Sequence, residues 1–254
     1  MSKSSPLSLI PVSLVRLSFW RKLHKYLGWL LLLQLLCWFG SGLVMSLLPI
    51  SEVRGEHLRK TLTLPDWTRA ISPASLAQQH PGHQLTLSQQ GSTPVYQFST
   101  EQQQLYYSAL TAEALPPLTQ AQVKILVLRQ YQGETEIKQI QRLTQAPFEV
   151  RHLTAPLWQV KFADEEGSSF YLEEYTGKVL SVRTNNWRLF DFVWMLHIMD
   201  YQDREDFNHP LLILFSATAL FFTLTGAFLL PWRYRKTALY NKDKPIPANN
   251  NKPL

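Results

Sequence analysis

An α+β domain held between two membrane-spanning helices is the fold class the sequence predicts, and three observations predict it. Two long runs carry no charged residue, one ending near Ser51 and the other beginning at Leu211. Between them lie short alternating stretches with the period of β-strands. The charge is divided along the chain so that both ends are basic and the middle acidic.

Composition narrows the possibilities first. Of 254 residues, 45% are hydrophobic and only 17% charged, which is lean in charge for a soluble chain and excludes disorder throughout. Cys37 is the sole cysteine, so an internal disulfide and any multi-cysteine zinc or iron–sulfur site within one chain are excluded. A net charge of +6 raises the question of nucleic acid, and its distribution answers it. Residues 1–48 carry five Lys/Arg and no acid, residues 231–254 carry six against Asp243 alone, and the stretch between holds fourteen basic and eighteen acidic residues. Basic ends around an acidic middle fit a membrane protein with both termini in the cytoplasm, and no nucleic-acid partner is expected.

In chain order, a basic cytoplasmic N-terminus (1–25) precedes a transmembrane helix at 26–48. Gly28 to Leu48 is almost wholly apolar, with Gln34 its one amide side chain, and at about 1.5 Å per residue it covers roughly 30 Å of hydrocarbon. The run is too long for a cleavable signal and lacks a small-x-small site before Pro49, so it is expected to stay as an anchor. The second transmembrane helix is placed at 211–232, closed by Arg233, Arg235 and Lys236, with a basic cytoplasmic tail at 233–254. Trp29, Trp38 and Trp232 include interfacial anchors. Gly40, Ser41 and Gly42 in one span, and Ser216, Ala217, Ala219, Thr225 and Gly226 in the other, would let two helices or two copies of the chain approach closely. The tail beyond Lys236, with Pro245, Pro247 and Asn249 to Asn251, reads as disordered.

The domain at 49–186 is expected on the far side of the membrane, which in a Gram-negative cell is the periplasm. Ser72 or Pro73 begins a short helix ending near Gln79, and Gln84–Ser88, Val95–Phe98 and Gln104–Ser108 follow as strands. Thr119 is a good N-cap for a helix over Gln120–Gln130 that puts Val123, Leu126, Val127 and Gln130 near one face. Leu157–Phe162, Ser169–Glu174 and Val179–Arg183 alternate again, the last pair joined by a turn at Tyr175-Thr176-Gly177-Lys178. A short helix followed by strands therefore occurs twice, which suggests a duplicated unit. Residues 187–210 read as an interfacial helix and loop, with aromatic and aliphatic residues on nearly all faces from Trp187 to Tyr201.

These residues carry a resemblance. Trp158-Gln159-Val160-Lys161-Phe162, an acidic turn, Ser169-Phe170-Tyr171-Leu172-Glu173 and then Tyr175-Thr176-Gly177-Lys178-Val179-Leu180 resemble a PepSY domain, a β-hairpin ending in a Thr-Gly turn before the last strand. Arg21-Lys22-Leu23-His24 followed by Gly28 and Gly42 looks like the first helix of PepSY-associated transmembrane proteins. Leu196-His197, Leu224-Thr225-Gly226 and Trp232-Arg233 look like their last helix and its approach. Larger relatives have four spans and include ferric-siderophore reductases carrying b-type haem, whereas this chain has two runs of that kind. The resemblance implies an inner-membrane component of haem-linked electron transfer in iron uptake, with haem b as cofactor. The alternatives are a periplasmic peptidase-modulating or peptide-binding module, and a cofactor-free accessory subunit that stabilises a membrane complex through its small-residue helix faces. The partners it implies are the lipid bilayer, further copies of the chain or a larger membrane complex, and a periplasmic ferric complex or peptidase.

Of seven histidines, His24 lies at the inner edge of the first span, and His197 and His209 lie outside the second. These three are the candidate cofactor ligands, since a neutral imidazole ligates haem iron. His24 cannot meet His209 across a helix of roughly 30 Å. One chain then offers at most one outer haem site, from His197 and His209, while an inner site would need His24 from two chains. Asp200, one turn after His197, is expected to hydrogen-bond its second ring nitrogen. Against ligation stand ordinary roles: interfacial anchoring for His197, helix capping before Pro210 for His209, and headgroup contact for His24 beside Lys22 and Lys25. His80-Pro81-Gly82-His83 is a turn without a third ligand. Asp164-Glu165-Glu166 and the group Asp203, Glu205 and Asp206 read as solvated acidic loops. No phosphate loop, nucleophile elbow or zinc-protease motif occurs, and no catalytic residue is assigned.

Overall fold

The computed structural model describes residues 12–101 and 103–242, with side chains from 17 to 230. The expected disorder at Pro245, Pro247 and Asn249 to Asn251 lies outside the described residues, as does much of the basic N-terminus. The chain divides into two compact units, one formed by Met1–Leu43 with Trp194–Leu254 and the other by Val44–Val193.

In the first unit, helix α1 runs Val12–Leu47 and helix α6 runs Pro210–Lys242. Each contains a stretch long and apolar enough to cross a membrane, Leu17–Leu47 and Pro210–Leu230. Helix α6 continues past Lys236 as regular helix, where the sequence reading placed the start of an irregular tail. The seam between the two helices follows a spacing of three and four residues. Leu17, Leu31, Gln34 and Ser41 of α1 are buried, as is Thr225 of α6. Gly28 sits beneath Phe222, where an added Cβ would come within 3.2 Å of the ring. Gly40, by contrast, faces open space, and Ser216 and Ala217 are exposed, so only part of the expected small-residue surface is used. Trp29 is 68% exposed, as an anchor would be, but Trp38 turns inward.

The second unit is α+β. A short helix α2 (Ile50–Val53) and α3 (Ala74–Gln79) precede strands β1 (Gln84–Gln90), β2 (Thr93–Ser99) and β3 (Gln104–Ser108), which pair antiparallel in the order β1-β2-β3. Helix α4 (Gln120–Gln130) precedes β4 (Ile137–Leu143), β5 (Leu157–Phe162), β6 (Ser169–Glu173) and β7 (Val179–Arg183), again antiparallel and in sequential order. Helix then sheet thus occurs twice, with three strands the first time and four the second. Helix α5 (Asn185–Ile198) follows.

Local chemistry explains these elements. Thr119 and Gln122 form a reciprocal capping box that starts α4. Val123, Leu126, Val127 and Gln130 are all buried against β5, β6 and β7, in a core with Val160, Phe170, Leu172 and Val182. Gly177, at φ +66, makes the turn between β6 and β7, and the Glu173 carboxylate accepts the N–H groups of Tyr175 and Thr176. The opposite face of the same sheet buries Leu157 and Tyr171 against Val150. There Gln159 donates to the Tyr171 hydroxyl, which itself donates to Glu149, and Arg188 Nε donates to the other Glu149 oxygen at 3.0 Å. Burial and the Glu149 contact push the Tyr171 pKa well above its ordinary value. The second sheet is covered on both faces, which is why β5 and β6 are buried at almost every position.

Strand β4 is absent from the sequence reading. A bulge between Ile137 and Gln139 breaks its alternation, so that Ile137 and Ile140 both pack on the α4 side while Leu143 packs on the other. Apolar residues three apart look helical in sequence and are here a kinked edge strand.

Candidate functional site

The three candidate histidines all fall in the helical unit, and the structure treats them differently. His24, in the fourth turn of α1, stacks flat on Phe222 of α6 with ring centres 4.2 Å apart and planes 3° from parallel. Its Nδ1 lies 2.8 Å from the Thr225 hydroxyl. Gly226 lies directly beneath the ring, where a Cβ would come within 3.0 Å of Cε1. His197, in the last turn of α5, makes the corresponding contacts with α1. Its Nδ1 is 2.9 Å from the Ser41 hydroxyl, and a Cβ on Gly42 would lie 3.7 Å from Cε1. Trp38 Nε1 donates to the His197 carbonyl at 2.7 Å, fixing the end of α5 against α1.

The carbonyl contacts of the two hydroxyls bear on the tautomer of both rings. The Thr225 hydroxyl donates to the Phe222 carbonyl at 2.7 Å, and the Ser41 hydroxyl donates to the Trp38 carbonyl at 3.2 Å. A hydroxyl has one proton, so where that proton goes to the carbonyl each hydroxyl accepts from the imidazole, and a neutral ring then carries its hydrogen on Nδ1. The lone pair is then on Nε2, and among the described residues neither Nε2 has a hydrogen-bond partner. One ligand-competent nitrogen is therefore held at each of two places, by a hydroxyl–glycine pair on the facing helix. Ser41 and Thr225 were visible in the sequence as small packing residues, not as partners of histidine. The signal was the recurrence of a hydroxyl followed by glycine inside an otherwise apolar run.

His209 is arranged otherwise. Its Nε2 donates to the Ile198 carbonyl at 2.9 Å, and its Nδ1 accepts the Leu212 N–H at 3.4 Å, capping α6 at its Pro210 start. Both ring nitrogens are engaged by backbone. His24 and Ser41 are seventeen positions apart on one helix, about 25 Å along its axis, so His24 and the His197 ring bonded to Ser41 are not brought together.

The expected pairing of Asp200 with His197 does not occur. Helix α5 stops at Ile198 because Met199 takes φ +60, and Asp200 turns into the following loop. Burial raises the Asp200 pKa, but four backbone donors, the N–H groups of Asp206, Glu205, Gln202 and Asp203, outweigh it and hold the group at about 2. Trp194 Nε1 donates to the Arg204 carbonyl and closes the same loop.

The remaining polar clusters have local uses. His80 Nε2 lies 2.8 Å from the Tyr107 hydroxyl, His57 pairs with Glu166 at 3.0 Å, and Asp164 accepts the Ser168 N–H. Among the described residues, no group of three or more His, Cys, Asp or Glu is placed to hold a metal ion. Compared with protein families, curated proteins and solved structures, the chain has no match.

Proposed function

We propose that the protein is an inner-membrane, PepSY-type component of haem-linked electron transfer serving reduction of periplasmic ferric complexes in iron uptake. The observation that carries this reading is the pair of oriented imidazoles, His24 and His197, each presenting Nε2 from a ring fixed through Nδ1–H. Iron-ligating histidines are held in this way, by a hydrogen bond from the other ring nitrogen that sets tautomer and orientation. The donor set fits b-type haem: His24 and His197 would each hold it through one imidazole nitrogen, with a further ligand supplied by another copy of the chain or a larger complex. Bound there, haem would supply reversible one-electron transfer. Thr225 and Ser41 hold the ring planes, Gly226 and Gly42 give the rings room, and Phe222 covers one face of His24. His209 serves as the α6 cap and not as a ligand.

Membrane insertion is supported by exposure. Only 17% and 6% of the two apolar windows are buried within the chain, and side chains such as Leu33, Phe39 and Leu220 stand fully outward. The charge division along the sequence supports cytoplasmic termini, a periplasmic 49–186 and an interfacial α5. The Thr-Gly turn before β7 supports the PepSY assignment.

The competing reading is a cofactor-free accessory subunit, favoured by the same bonds taken as tethers between helices. The visible spectrum of the detergent-purified protein, oxidised and dithionite-reduced, separates the two. A Soret band with sharpened reduced bands, weakened in His24→Ala and in His197→Ala and kept in His209→Ala, is expected. A colourless protein from haem-replete cells overturns the electron-transfer reading and leaves the accessory one.

A further inference from the structure

The α+β unit contains a groove unconnected with the histidines. Its cavity, about 720 Å³, lies between the extended segment from Lys60 to Trp67 and strand β1, in the range of small-molecule sites. The Lys60 N–H donates to the Gln130 carbonyl at the end of α4, and Gln89 of β1 donates through its side chain to the Thr63 carbonyl at 3.3 Å, so the segment is tied at its start and at its middle. Strand β1 is the edge of its sheet, and among the described residues its outer side has no partner strand.

Two kinds of wall meet here. Leu64 is 88% exposed and Leu87 61% exposed, and beside them lies Trp67, half-buried and packed against Tyr96. Against it stand Arg59, Lys60 and Lys178, the last presented by the Thr-Gly turn. None of the three forms an ion pair among the described residues, and Arg59 spends one donor on the Val179 carbonyl at 3.2 Å. The one acid on the wall, Glu56, is already beside Arg54 at 3.8 Å. Solvated lysines are ordinary on a surface. Three uncompensated cations facing uncovered leucines are not explained by solvation alone, because the apolar wall contributes nothing in water.

We infer that this groove binds an amphipathic organic anion, a small molecule with an aryl or alkyl body against Leu64, Trp67 and Leu87 and a carboxylate toward Arg59, Lys60 and Lys178. Positive charge selects the anion, the leucines select the apolar body, and the volume limits its size. The inference does not depend on haem.

The test uses full-length protein in phosphatidylcholine nanodiscs, with empty nanodiscs as blank, and isothermal titration with three compounds: 2-naphthoate, its neutral analogue 2-naphthylmethanol, and citrate. Naphthoate is expected to bind at least about tenfold more tightly than either of the others, more weakly as salt is raised. Lys60→Gln with Lys178→Gln, and separately Leu64→Ser, are expected to cut naphthoate affinity about tenfold while the melting temperature is unchanged. Equal binding of the alcohol, equal binding of citrate, or full affinity in the lysine variant overturns the proposal. A His24→Ala, His197→Ala double variant should still bind naphthoate, so loss of haem and loss of this site are read independently.

Discussion

At the scale of single residues, a hydroxyl decides what each imidazole can do. Under the proposed haem reading, Thr225 and Ser41 would act only through His24 and His197, so their removal tests positioning apart from ligation. In Thr225→Val and Ser41→Ala the ring keeps its nitrogen and loses its orientation. If haem is held as proposed, the expected result is a haem affinity lower by about 10- to 100-fold and a shifted midpoint potential, with protein yield unchanged. Haem titration followed at the Soret band checks it, and an unaltered affinity and potential would mean the hydroxyls serve packing alone. Asp200 shows the limit of reading residues from spacing. Its place three after His197 was legible, but the positive φ of Met199 that takes it out of the helix was not, since Met has no special preference for that conformation. Four backbone N–H groups instead hold the Asp200 pKa at about 2, below the unfolded value of about 3.9. A lowered carboxylate stabilises fully above the unfolded value and loses that contribution as pH falls through the folded one. The loop should therefore stay closed down to about pH 4 and loosen between about 4 and 2. Trp194, bonded to the Arg204 carbonyl, reports it. The fluorescence difference between the protein and Trp194→Phe should be flat to about pH 4 and then change, and Asp200→Asn should already show the changed level at pH 6. A signal flat to pH 2 would contradict this.

At the scale of elements, what was legible is what local chemistry dictates. Helix α4 could be placed to the residue because Thr119 caps it and four buried positions share one face. Strands β3, β5 and β7 could be placed as well, their ends set by turns. Strand β4 could not, because a bulge is a tertiary response to the neighbouring strand and leaves a three-residue spacing that imitates a helix. Two substitutions probe elements of unequal weight. Thr119→Ala removes the cap of α4 and is expected to cost about 1 kcal/mol, lowering the melting temperature by roughly 2–4 °C. Gly177→Ala places a Cβ 2.7 Å from Leu126 Cδ1 at a φ of +66, combining backbone strain with overpacking, and is expected to cost about 2–4 kcal/mol. Thermal unfolding followed by circular dichroism should show the second loss clearly larger. Equal losses would mean that the turn yields without disturbing α4.

For the whole molecule, the division of charge and the two uncharged runs were enough to expect a helical part and an α+β part, because burial in lipid and burial in protein leave different patterns in sequence. Which histidines would be engaged by backbone was not legible, since it depends on where α5 ends. Membrane insertion predicts that the chain stays with the membrane pellet after washing at alkaline pH and is released only by detergent. Release by alkali alone would contradict it. The two histidine contacts have a mechanical consequence. One ties α1 to α6 near one end, and the other ties α1, about 25 Å further along, to the end of α5 just before α6 begins. A slip of α1 past α6 by a single turn, about 5.4 Å, would break the His24–Thr225 contact. That contact opposes sliding of the pair, so if the two helices span a bilayer, a change in its thickness is expected to be met by tilting the pair as one body.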